Sequence, residues 1–418
     1  MKRILITSKV IVLLLVIISL LMTGCVDERE DGVVEPEQTE QPIQYDSSKL
    51  NAIKVASEPV LDGEVDTVWA DAPELIVTLG ETYDTQDPAS INDCAGCHAF
   101  DSDTTVSLKA VYTNTSLSVL ATWPDPTASL TRGGSWSFVE GVWVKQNPLE
   151  SEDRISFFWP IGEIQGDPYN TGGCMAKCHM YYPTDTDPHV SSHGIVDDAW
   201  LESGRGDMWH SKAGRGTGLT SVSGSDLTID PVTHEVTAGE FSMIGYMDDK
   251  YVDEWANDSV NGEDGGRYGD EGKSAYSHNR IADKSRPKYM EMDPTDFADA
   301  MVLTQAEIDA GETVGDSTAG VSNDDAATYW SKYEVLNAVI PERILRTPDG
   351  SRADLEFGSV WKDGIWTAEI TRKLDTASDD DVQFSLSEEY SFGVAIFDNM
   401  RHGYQHMTSP MYDMTFVE

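Results

Sequence analysis

Basic side chains are scarce in this 418-residue chain: 29 Lys and Arg stand against 73 Asp and Glu, a formal net charge of −44. That shortage excludes nucleic acid as a partner, because no basic face exists to neutralise phosphates. So acidic a surface keeps a chain soluble in salt, repels anions and suits a partner with basic docking patches. Adaptation to a saline habitat accounts for it equally well. Cysteine is sparse too, five in all. A long apolar run occurs only from Val10 to Met22, and no internal repeat is evident.

That single run opens the reading of the chain. Lys2, Arg3 and Lys9 flank it on one side, and Met22-Thr23-Gly24-Cys25 follow on the other. This is the order of a secretory signal, and the run is short for a membrane span. The ending resembles a lipobox, in which Cys25 carries the lipid. Residues 1–24 therefore read as a lipoprotein signal peptide, with an uncleaved anchor helix as the alternative. Either one puts the folded part outside the cytoplasmic membrane, lipid-anchored at a membrane or cell surface. Residues 25–50 are acidic, rich in Glu, Gln and Pro and poor in bulky apolar side chains, so they read as a flexible tether.

The other four cysteines come in two close pairs, each followed directly by histidine. "NDCAGCHAF" places Cys94, Cys97 and His98 as C-x-x-C-H. Covalent haem attachment needs two thiols on one side of a helical turn and an imidazole beneath the iron, and this spacing supplies both. Tetrahedral zinc would want a fourth ligand, for which Asp93 and Asp101 are poor candidates; zinc or a redox dithiol remain the competing readings. "GGCMAKCHMYY" places Cys174, Cys178 and His179 one residue wider, as C-x-x-x-C-H. Positions i and i+4 still share a helix face, so haem attachment is allowed. An i,i+4 disulfide, a zinc site with His179 and a noncovalent haem on His179 stay open beside it. With Cys25 lipidated, two haem c groups account for every thiol in an exported chain.

Each iron then needs a sixth ligand unless it binds substrate. His234 in "DPVTHEV" reads as a loop residue. His210 lies in "GDMWHSKAGRG" beside Trp209, Lys212 and Arg215, cations suited to haem propionates. His402 and His406 stand four apart in "DNMRHGYQHMTSPMYDM", just after a strongly apolar stretch, with Met400, Met407 and Met411 as thioether alternatives.

Strands dominate the remainder. "VSLKAVYTNTSLSVLATW" (106–123) is a hairpin of two alternating runs, and "DRISFFWPIG" (153–162) another strand. An opening strand, a short helical stretch near Trp69 and a second strand precede them. Three more strands follow near the C-terminal end, with an Asp-Gly turn at 363–364. Between about 180 and 335, Gly, Asp and Ser dominate, which predicts a long irregular insertion. The expected fold is mainly β: an antiparallel sandwich over 51–418, with irregular, partly helical insertions carrying the haem sites.

Several of these stretches resemble the haem-binding subunit family of ethylbenzene dehydrogenase and dimethylsulfide dehydrogenase. They are "PVLDGEVDTVWADA", "DRISFFWPIG", "GCMAKCH", "GDMWHSKAGR" and the "FGVAIFDN" ending. The resemblance implies a sandwich that holds haem between loops at one end and exchanges electrons with a partner. It implies that His179 and His406 stand where the family's haem b has methionine and lysine, as a bis-His pair. It also implies that the wider cysteine spacing is a haem site, since related members carry it. The C-x-x-C-H stretch and the lipid anchor depart from that family. Together these features predict a free-standing dihaem electron carrier rather than an enzyme, working between extracytoplasmic redox proteins. Self-assembly through exposed haem edges is compatible with it. The competing readings are a haem subunit of a molybdenum enzyme and a sugar-binding sandwich, to which the opening block is also similar.

Overall fold

In a computed structural model the described residues are 44–81, 104–132, 134–146, 151–165, 203–221, 226–253, 272–399 and 407–418. Tyr45–Glu418 forms one compact unit. The strands of its main sheet, beside four small two-stranded ones among the described residues, are β1 (Leu50–Lys54), β2 (Leu75–Glu81), β3 (Thr104–Tyr112), β4 (Ser116–Pro124), β5 (Arg154–Gln165), β6 (Ser203–His210) and β7 (Thr217–Ser221). Then come β8 (Glu240–Tyr246), β9 (Asp248–Asp253), β10 (Leu355–Lys362), β11 (Ile365–Lys373), β12 (Glu389–Phe397), β13 (Met407–Thr408) and β14 (Tyr412–Val417).

The sequence patterns form the elements they predict. Val106, Leu108 and Ala110 alternate inward along β3, and Leu117, Val119, Ala121 and Trp123 do so along β4. The opposite face of this hairpin is covered by the 3-10 turn Thr67–Trp69, whose Trp69 packs with Val111 and Leu120. Asp363 and Gly364 join β10 to β11 with φ of 44° and 92°. Two consecutive left-handed residues match the twist of the strands they connect.

The sheet is where expectation and structure part. All fourteen strands belong to one hydrogen-bonded sheet, in the order β9-β6-β5-β12-β13-β2-β3-β4-β11-β10-β8-β7. Strand β1 pairs in parallel with both β14 and β3, and β14 pairs with β12. The six strands β12, β13, β2, β3, β1 and β14 thus close a ring, and the sheet is mixed rather than purely antiparallel. The mainly β class holds, and β1 adds parallel pairs to the antiparallel ones expected.

Within the expected insertion, about 180–335, residues 203–253 contribute four strands to the sheet. Strands β6 and β9 extend one edge of the sheet, and β7 and β8 the other. Strand β6 escapes detection because its "SGRGDMWH" carries two glycines and little alternation. Gly206 is required there: a Cβ would lie 2.1 Å from the ring of Phe158. Beyond residue 272 come helices α1 (Phe297–Ala300), α2 (Gln305–Ala310) and α3 (Asn323–Leu336). Helix α2 starts with a Thr304/Glu307 capping box and ends at Gly311, φ 77°. No helix among the described residues is long and apolar enough to cross a membrane.

Candidate functional site

Strand register draws one line across five neighbouring strands. His210 on β6 pairs with Ser156 on β5, Ser156 with Ala395 on β12, Ala395 with Thr408 on β13, and Thr408 with Gly80 on β2. At ordinary strand spacing this row is about 19 Å long. Two stretches of chain depart beside it. One runs from Glu81 to Thr104, whose near neighbour Leu79 is the partner of Thr104. The other runs from Asn399 to Met407, and Met407 pairs with Glu81. The stretch between Gln165 and Ser203 departs from the far end of β5, roughly 30 Å from Ser156 at 3.3 Å per residue.

Of the cysteines and histidines proposed to carry lipid, haem or iron, only His210 is described. Cys25, Cys94, Cys97, His98, Cys174, Cys178, His179, His402 and His406 lie outside the described residues. His210 is 1% exposed and stacks on Phe397, with ring centroids 5.7 Å apart. The Arg154 guanidinium lies over the same Phe397 ring at 4.8 Å. Beneath them Trp209 packs on Trp159 at 5.0 Å, tying the row to the core. His234 sits in a turn with its Nδ1 2.9 Å from the Asn337 carbonyl, as its loop reading required.

Next to His210 the scarce basic residues are concentrated and buried. Glu152 Oε1 accepts from Arg215 Nε at 2.9 Å and Nη2 at 2.6 Å, and Arg154 Nε lies 3.1 Å from it. Arg132 and Arg154 both donate to Ser151 Oγ. Lys212, Arg215 and Arg343 surround the Tyr276 ring at 5.7, 5.5 and 5.5 Å. Arg343 pairs with Glu342, which Arg280 also reaches at 2.5 Å. Burial and the neighbouring arginines, Arg215 first, push the Arg132 guanidinium well down and that of Arg343 to about 9. Burial acts to raise the Glu152 carboxyl, but Arg215, Arg154 and Arg132 outweigh it and hold the group far below the usual range.

Lys212 and Arg215 were legible from sequence as cations near His210. Arg132, Arg154 and Arg343 were not, because they arrive from three other parts of the chain. Among the described residues, Arg132, Arg154, Lys212, Arg215 and Arg343 gather here around Glu152 and Glu342, and a cluster of that charge attracts anions. Haem propionates fit that chemistry.

A second buried group fixes the strand ends around the row. Asp153 accepts from the backbone N–H of Ser129 at 2.8 Å and of Asn399 at 3.1 Å, and from Trp366 Nε1 at 3.3 Å. Its own carbonyl accepts from Ala213 N at 3.0 Å. One residue therefore holds the start of β5, the end of β12 and the turn after His210. Burial and mutual repulsion among Asp153, Asp125 and Asp398 push Asp125 and Asp153 well up. Asn399, at φ 48°, then turns the chain out of β12.

The profile of a family described as ethylbenzene dehydrogenase matches residues 66–409. No curated protein matches the chain significantly. A family 9 carbohydrate-binding module from Caldicellulosiruptor kristjanssonii, in complex with glucose, is 8% identical; the match covers 88% of this chain and 95% of that one, with a TM-score of 0.25. The same kind of module from that organism in complex with cellotriose is 12% identical over 47% and 76% of the two chains, with a TM-score of 0.16. Scores this low carry nothing about fold or ligand.

Proposed function

The chain belongs to the ethylbenzene dehydrogenase family, and from that premise we propose that it is an exported, lipid-anchored dihaem c-type cytochrome that transfers electrons between extracytoplasmic partners. Family membership relates it to subunits of molybdenum dehydrogenase complexes. The further reading rests on the two Cys-pair-plus-His stretches, with His98 and His179 as proximal ligands. The observation that carries it is the row from His210 to Gly80, which brings the ends of the C-x-x-C-H stretch beside the ends of the 400–406 stretch and a buried arginine cradle.

Each bound haem would supply a one-electron centre whose potential follows its axial ligands and the surrounding charge. Lys212, Arg215, Arg132 and Arg343 would receive the propionates, and their positive field would favour the reduced, less positive iron. The family resemblance pairs His406 with His179. Strand register favours His98 instead, because Met407, directly after His406, pairs with Glu81, where the C-x-x-C-H stretch leaves the sheet. We therefore assign His406 to the haem on Cys94 and Cys97, with His402 or His210 as the alternative.

Denaturing mass spectrometry of the mature protein from its native host tests the first part. The mass should exceed that of the lipidated chain by two haem groups, and removing Cys174 and Cys178 should leave one. A Cys174–Cys178 disulfide in that protein would reduce the count to a single haem and defeat the dihaem reading. His406→Ala tests the ligand assignment. It should keep both covalent haems, turn one from low to high spin and create carbon monoxide binding. In the variant lacking Cys174 and Cys178, the same substitution should still open the remaining haem. Carbon monoxide binding by the reduced unmutated protein would show an iron already open and favour a catalytic role. A second reading, a haem subunit docked to a molybdenum oxidoreductase, shares the family premise; co-purification of a large molybdopterin subunit would select it.

A further inference from the structure

The region between β9 and β10 contains an acidic group that the electron-transfer reading does not use. Glu291 ends the short strand Tyr289–Glu291, which pairs with Thr313–Gly315. It is 8% exposed, and its Oε2 is buried with no hydrogen-bond partner. Asp299 of α1 and Glu307 of α2 each bring a carboxylate oxygen to it, all three within 4.8 Å of one another.

Each neighbour has one oxygen engaged by its own helix start. Asp299 Oδ2 accepts from Thr295 N at 2.8 Å and Thr295 Oγ1 at 2.9 Å. Glu307 Oε2 accepts from Thr304 N at 2.6 Å and Thr304 Oγ1 at 2.8 Å. These bonds orient the two carboxylates and leave Asp299 Oδ1 and Glu307 Oε1 available to turn toward Glu291. Lys332, on α3, donates to Asp293 and to the Met292 carbonyl at 2.9 Å. Burial first, and then Asp299, Glu307, Glu312 and Asp293, push the Glu291 carboxyl up to about 8.

A buried carboxylate facing other carboxylates costs free energy unless a proton is held there or a cation joins them. Calcium binds oxygen at 2.3–2.6 Å, so ligand oxygens around one ion lie up to about 5 Å apart, which agrees with the separation here. Oriented, oxygen-only donors also suit a hard divalent ion, and the remaining positions would be filled by water. We propose that Glu291, Asp299 and Glu307 form a calcium site that clips α1 and α2 to the Tyr289–Glu291 strand. This site is independent of haem and of the family's electron-transfer reading.

The aromatic neighbours provide a direct readout. Tyr333, buried close enough to Glu291 for its hydroxyl to be affected by that charge, stacks on Trp330 with centroids 5.6 Å apart. Terbium added to the EDTA-treated full-length protein should give luminescence sensitised through these rings, and calcium should displace it while magnesium does not. Calcium should also raise the thermal midpoint. Glu291→Gln and Asp299→Asn, checked for native circular dichroism, should each weaken calcium binding at least tenfold while leaving the haem spectrum unchanged. The proposal is overturned if calcium at several times the about 1 mM upper end for extracellular modules changes neither signal. It also fails if a folded Glu291→Gln variant responds like the unmutated chain, which would assign binding to the general acidic surface. If both variants fail to fold, equal displacement of terbium by calcium and magnesium in the unmutated protein overturns it.

Discussion

Individual buried carboxylates decide how this protein responds to pH. Glu369 on β11 accepts from Trp69 Nε1 at 2.7 Å and from the backbone N–H groups of Gly63 and Asp62 at 3.0 and 3.2 Å. Burial nonetheless raises its carboxyl to about 7, against those three lowering bonds. A raised carboxyl favours the protonated fold, so its contribution is complete below about 4.5 and is lost as pH rises through about 7. The loss is on the order of 3 kcal/mol. Urea midpoints should therefore fall between pH 5 and pH 8, and Glu369→Gln, although less stable at pH 5, should fall less across that window. Glu152 works with the opposite sign. Its carboxyl is held low by three arginines, so its stabilisation is present at neutral pH and is lost only in acid. Glu152→Gln would leave those guanidinium groups facing one another and should destabilise by about 3–5 kcal/mol at pH 7, measured by denaturant unfolding.

At the scale of elements, turns are held by what lies against them as much as by their own conformation. Gly63 and Gly141 have nearly the same left-handed backbone, φ 79° and 82°. A Cβ on Gly141 would meet nothing within 4 Å, whereas one on Gly63 would lie 2.4 Å from Val360 N on β10. Alanine at Gly141 should cost about 1–2 kcal/mol, the left-handed penalty alone. Alanine at Gly63 should cost about 2–4 kcal/mol, because it also forces the 61–63 turn away from β10. Equal urea midpoints for the two variants would refute this tight packing of the turn on the sheet.

The whole molecule carries a charge that opposes its own compact state. With a formal charge of −44, self-repulsion is screened as the Debye length shrinks from about 10 Å at 0.1 M salt to about 3 Å at 1 M. The thermal midpoint should rise by several degrees over that range in sodium chloride. A flat or falling midpoint would mean that the acidic surface costs little, and that the buried arginine and glutamate pairs dominate the electrostatics. Against this background the cradle around Tyr276 stands out, since it gathers several of the chain's 29 basic residues in one buried place.

The sequence by itself determined whatever depends on spacing along the chain. Period-two alternation marked β3, β4, β10 and β11, a run of apolar residues marked β5, and the Asp363-Gly364 pair marked its hairpin, because each is a local steric or burial preference. The C-x-x-C-H and C-x-x-x-C-H stretches are equally local, and so carried the haem reading without any fold. Alternation says which face of a strand is apolar; it does not say which strand lies beside it. Only the tertiary structure paired Glu81 with Met407 and His210 with Ser156, and joined β1 in parallel to both β3 and β14. The same holds for the arginines around Glu152 and the carboxylates around Glu291, which come from separate segments and meet through packing. Such convergence is set by the free energy of closing the whole sheet, to which no short window of sequence has access.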